Sequence, residues 1–211
     1  MKRKIIWGIL TLTLALGRPL LAQTSTDEVA QLKERVAALE KQVQDISQIV
    51  APLKGQLEAD NRRKELRKKF EARLARDQAK FTRDQLNEAE GWYQVANKEW
   101  GTTNATESLK KMVEKYPDIN RTGCAVLYLA QSSQGDEREQ RLQECIQKFG
   151  DCMYGDGVEV GAYARWLLAQ DYRKAGQKDK AGALENELKT NFAQAIEHNG
   201  RLLAESLQAP P

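Results

Sequence analysis

The chain has 211 residues, 30% of them charged and only 7% aromatic, with 33 basic and 30 acidic side chains. That length holds one ordinary domain plus an extended element, and the richness in Ala, Leu, Glu, Gln, Lys and Arg favours helix. The formal charge of +3 is too small to argue for a nucleic-acid partner, and the low aromatic content gives no stacking platform of the single-strand-binding kind.

The chain begins with the basic tetrad "MKRK" and an apolar run, Ile5 to Leu16. The run is shorter than the ~20 residues a membrane-spanning helix needs, so it reads as an export signal. "GRPLLA" then supplies a breaker and a small residue, placing cleavage after Ala22, with Ala15-Leu16-Gly17 as a second site. Gln23 follows, not Cys, so a lipidated N-terminus is not expected. Residues 1–22 hold Lys2, Arg3, Lys4 and Arg18 and no acid, which leaves 29 basic against 30 acidic side chains, a net of −1. A periplasmic or secreted location follows, and with it an oxidising compartment for Cys124, Cys145 and Cys152.

Residues 23–57 carry the next signal. Apolar residues stand at Val29, Leu32, Val36, Leu39, Val43, Ile46, Val50, Leu53 and Leu57, alternating steps of three and four. This is the seam of a coiled coil, with Val at a and Leu or Ile at d, a chemistry that favours two parallel strands. Glu28 faces Lys33, and Arg35 faces Glu40, across such a homodimer. The expected oligomer is a dimer, with a trimer as the alternative. A lone amphipathic helix on a globular body is the other reading, but its stripe is usually wider. Pro52 and Gly55 interrupt the pattern. A proline inside a helix costs about 3 kcal/mol, so the well-formed seam is expected to stop near Ala51, with Pro52 at a kink or opening a new helix.

Residues 58–84 are helical in pattern but highly charged, with a thin apolar stripe at Leu66, Phe70, Leu74 and Phe81. Ten Lys and Arg against Glu65, Glu71 and Asp77 leave an excess of +7 over 62–83. Two readings are open: a solvated connecting helix, which is favoured, or a basic arm for anionic polymer or membrane surface.

Residues 85–211 contain three similar pieces, "LKKMVEKYPD" (109–118), "LQECIQKFGD" (142–151) and "LENELKTNFA" (184–193), each an amphipathic helix ending in an aromatic residue. The 33-residue step between the first two points to a solenoid of helical hairpins. Trp92, Tyr93, Ala105, Leu109 and Tyr116 fit the core of a first unit, Leu129 and Phe149 of a second, and Leu168, Tyr172 and Ala181 of a third. "CMYGDGVEVG" (152–161) reads as a glycine-rich loop inserted between the second and third units, and Ile196 to Leu207 as a terminal capping helix. Trp100 and Trp166, at helical spacing from Trp92, also read as core. Helical hairpins without true repetition are the alternative. These pieces resemble the tetratricopeptide repeat, and the fold class expected is all-α: a coiled-coil helix followed by an α-α superhelix of about three repeats. Cys124 at the start of one helix and Cys152 after its mate would lie together in an antiparallel hairpin, so a Cys124–Cys152 disulfide is the first choice and Cys145 a core thiol.

No nucleophile–base pair, phosphate loop or metal-ligand cluster is visible, so the sequence argues for a non-catalytic protein without cofactor, metal or small-molecule substrate. His198 reads as a surface residue. Asn104-Ala-Thr106 and Asn120-Arg-Thr122 match the N-glycosylation triplet, which arises often by chance. The order of parts (signal, coiled coil, charged spacer, repeats) resembles the periplasmic cell division coordinator family associated with the Tol–Pal system. The resemblance implies a self-associating scaffold that contacts protein partners of the cell envelope through its repeats. The alternative is a binder of anionic cell-wall polymer or membrane surface through residues 62–83.

Overall fold

The computed structural model describes the backbone of residues 19–207 and side chains from Thr26 onward. The proposed signal, residues 1–22, lies almost wholly outside the described residues. The described chain is all-helical: α1 (Pro19–Lys80), α2 (Arg83–Lys98), α3 (Thr103–Lys115), α4 (Asn120–Ser132), α5 (Gly135–Lys148), α6 (Val160–Lys174), α7 (Lys178–Asn191) and the short α8 (Leu203–Ser206). Two compact units result, Met1–Glu58 and Ala59–Pro211. No helix among the described residues is long and apolar enough to cross a membrane.

In the first unit, the described residues form one helix. Pro52 lies inside α1, which corrects the expectation that it opens a new helix. Losing one N–H leaves the carbonyl of Gln48 without its helical donor. The strong helix formers on both sides, Ala51 and Leu53-Lys54 among them, carry the helix past that single defect. The apolar residues of the heptad seam are all in solvent, from Val29 at 49% exposed to Val43 at 64%.

In the second unit, helices α2 to α7 pack as successive antiparallel pairs, α2 with α3, α4 with α5, α6 with α7, each pair also touching the next. Local sequence explains the breaks. Thr82 caps α2 in a capping box with Gln85, and Thr102 caps α3. The main core buries Tyr93, Ala105, Leu109, Tyr116, Leu129, Phe149, Leu168, Tyr172 and Ala181, with Trp92 partly buried against it. Glu185, an acid at a position where the repeat pattern wants an apolar residue, reaches Arg173 at 2.5 Å.

The segment 152–161 is not a lone insertion. Val160 N–H donates to the Cys152 carbonyl, Gly157 N–H to Tyr154, and Tyr154 N–H to Val158. The same three bonds recur 43 residues later, from Leu203 to Ala195, Gly200 to Glu197 and Glu197 to Arg201. Each turn is closed by one antiparallel bridge, Met153 with Glu159 and Ile196 with Leu202. Gly157 (φ 96°) and Gly200 (φ 85°) hold the same left-handed position in the two turns. The stretch expected as a capping helix, 196–207, is therefore mostly this second turn, and only α8 is helical. Fixed backbone hydrogen bonds, not side-chain pattern, define the motif, so it was hidden from a reading of apolar spacing.

Candidate functional site

The charged stretch of α1 from Ala59 onward is not solvated linker. Leu66 and Asp77 are buried, as is Arg73 at 7% exposed, and Phe70 is half-buried. Steps of three and four residues put them on one helix face, which lies over the connections that follow α3, α5 and α7. Leu66 packs with Met153, Val158 and Ile196. Lys69 pairs with Glu159 at 2.8 Å and Arg76 with Asp151 at 2.6 Å. Arg62 donates to Gln194 at 3.0 Å. The solvated-linker reading of this stretch is thus corrected: several of its cations are answered by the helix pairs, while Arg63, Arg67 and Lys68 pair along the helix with Asp60, Glu71 and Glu65.

At the centre of that contact, Arg73 and Asp77 form a buried ion pair. Arg73 Nη2 donates to the Asp118 carbonyl at 2.8 Å, and Asp77 Oδ2 accepts the Asn120 N–H at 2.8 Å. The residue before α4, Ile119, offers no side-chain cap, so a carboxylate from α1 caps α4 from outside and also meets the positive end of its dipole. Asn120 continues the chain of bonds. Its amide donates to the Met153 carbonyl and accepts the Met153 N–H, both at 2.7 Å. Asn120, one of the two glycosylation-like asparagines, is 2% exposed and has both amide atoms committed, so it cannot carry a glycan in this fold.

The three cysteines are free and buried, which corrects the expected Cys124–Cys152 disulfide. Cys124 Sγ instead lies 3.5 Å from the Met153 carbonyl, and Cys152 Sγ lies 3.8 Å from Arg73 Nη2. Burial pushes the Cys124 thiol up to about 12 and Cys152 to about 11, Arg73 opposing the latter shift, and burial also raises Cys145. All three are protonated at neutral pH and are poor nucleophiles. No cluster of three or more metal-ligating side chains occurs among the described residues.

Two cavities open on the second unit. The larger, about 740 Å3, lies between the end of α1, the α3–α4 turn and α5. Its charges are largely spent on one another: Arg73 on Asp77, Arg76 on Asp151, Lys148 on Glu144. The smaller, about 310 Å3, is lined by Tyr93, Asn97, Trp100, Arg121, Tyr128, Gln131, Tyr154 and His198. Its residues come from α2 and α4, the first helices of their pairs, and from both glycine turns. Helical steps align Tyr93 and Asn97 on one side, with Trp100 just beyond the end of α2, and Arg121, Tyr128 and Gln131 on the other.

The smaller groove holds the residue that sequence spacing misplaced. Trp100 is not core: it sits just past the end of α2 and is 54% exposed, its ring against that of Tyr128 with centroids 3.7 Å apart. The signal was present in "EWGTT", which puts the tryptophan between the last helical residue and the glycine before a threonine cap. His198 is likewise not isolated. Its Nδ1 lies 2.7 Å from Asp156 Oδ2, and its ring abuts Tyr154 and Tyr163. Arg121 lies over the Tyr93 ring at 4.4 Å and donates to Glu90 at 2.7 Å. Tyr128 donates to the Ala96 carbonyl and Tyr154 to that of Cys124, which fixes the floor.

No family model, curated protein or solved structure matches this chain.

Proposed function

We propose that the protein is a non-catalytic scaffold that self-associates through residues 29–57 and holds a segment of a partner protein in the groove beside Trp100. One observation carries this reading. Among the described residues, the strongly exposed large apolar side chains are those of the heptad face from Val29 to Leu57, Ile49 beside it, and Trp100. Exposed apolar surface gathered in this way marks contact surface. A strict a/d face finds its cheapest partner in a second copy of itself, and a hairpin stack leaves one concave face for a peptide. With the export signal read at residues 1–22, the partners are proteins of the cell envelope, in a role akin to the coordinator family the layout resembles.

Sedimentation of the full chain tests the self-association. Wild type is expected to sediment as a dimer or trimer at micromolar concentration. Val36→Asp with Val43→Asp is expected to give monomers with the helicity of the second unit retained. Each seam valine withdraws about 1.5–3 kcal/mol of burial per strand, so a single substitution already weakens a dimer by roughly 100-fold or more. A monomeric wild type would overturn the reading.

A further inference from the structure

We infer that the Trp100 groove takes an extended, proline-rich segment of a partner protein; this rests on the peptide-binding reading above and specifies its ligand. Three features of the groove converge on that chemistry.

The first is its apolar surface. The exposed Trp100 ring, backed by Tyr128, forms a raised aromatic face beside a floor of Tyr93 and Tyr154. Proline rings pack on such faces, and the polyproline II helix is already extended, so little entropy is lost on docking.

The second is the balance of donors and acceptors. The Trp100 indole N–H and the amides of Asn97 and Gln131 line the groove, and none of them is engaged by another described side chain or carbonyl. The hydroxyls of Tyr128 and Tyr154 are already donating to carbonyls of the protein itself. The free groups include N–H donors for the carbonyls of a proline-rich chain, which has few N–H groups of its own, while the amide oxygens of Asn97 and Gln131 remain acceptors open to solvent.

The third is charge. No carboxylate lines the groove. The Arg121 guanidinium is spent on Glu90, and His198 Nδ1 is taken by Asp156. A phosphate or nucleic-acid ligand would need a free cation here. A glycan's hydroxyls donate as well as accept, and would call on the carboxylates that Arg121 and His198 already occupy. A neutral, acceptor-rich chain with apolar faces needs neither.

The test uses the full-length protein and a displayed library of random short peptides, with an oligoproline peptide and chitotetraose as defined probes. Wild type is expected to enrich proline-rich sequences and to bind the oligoproline peptide. Trp100→Ala is expected to weaken that binding roughly 30-fold, the loss typical of a central aromatic anchor. Because Trp100 is largely exposed, its truncation leaves the core intact, which circular dichroism checks. Asn97→Ala is expected to weaken binding about fivefold, the loss of one neutral hydrogen bond. Enriched sequences that depend on Trp100 but lack proline would overturn this inference and leave the peptide-binding reading standing. No enrichment over the Trp100→Ala variant, or binding of chitotetraose in place of peptides, would overturn both.

Discussion

Residues 29–57 carry an apolar side chain at every third or fourth position and leave them all in solvent, whereas residues 59–80 are dominated by charge and bury an arginine and an aspartate. The contrast follows from what each stretch is offered. Val29 to Leu57 stand exposed among the described residues, and the self-association proposed above would bury them against a second copy. The charged stretch meets the connections between helix pairs, where backbone groups stand free. There an arginine finds the Asp118 carbonyl and an aspartate finds the Asn120 N–H, and desolvation of both charges is offset by these bonds and their mutual ion pair, with Arg73 Nε alone left without a hydrogen-bond partner. Apolar pattern marks what wants to be buried; polar satisfaction decides what is.

Three substitutions break or sharpen that contrast. The largest effect belongs to Asp77→Ala, which leaves Arg73 buried without its counter-charge and α4 without its cap. A loss of about 3–5 kcal/mol is expected for the second unit, read by chemical denaturation. A loss under about 1 kcal/mol, the level of an exposed pair, would mean the contact is superficial. Pro52→Ala acts on the other stretch. It restores the N–H that the Gln48 carbonyl lacks, with a gain of up to about 3 kcal/mol per helix. The gain should appear as a higher melting temperature of the oligomer by circular dichroism, with unfolding of the second unit unchanged; a lower one would show that the proline defect is needed for assembly. Gly157→Ala is the smallest. The residue lies at φ 96°, and its new Cβ would come 3.1 Å from the Leu66 Cβ, so a loss of about 1–2 kcal/mol is expected. If Leu66→Ala removes most of that penalty in the double variant, the penalty comes from helix contact and not from backbone strain.

Much of the second unit was legible in the sequence because its helices are amphipathic and their core positions are large or small in the right order. Leu109, Leu129 and Leu168 are buried where apolar spacing places them. Three features were not legible. Trp100 keeps helical spacing with Trp92, and spacing does not report that the helix has ended two residues earlier. His198 and Asp156 are 42 residues apart and meet only because two similar turns stack. Pro52 lowers helix propensity locally, while the residues around it outweigh one missing hydrogen bond.

The sequence by itself determined the helical class, the apolar face from Val29 to Leu57 and the repeating helix pairs, because periodicity is a local property that any solvent exposes. The tertiary structure alone decided that residues 59–80 pack on the connections between helix pairs, that all three cysteines stay free, and that one tryptophan stands over a groove. Each of those depends on backbone carbonyls, N–H groups and turn geometry brought together from distant segments, and none of these leaves a mark on the spacing of side chains.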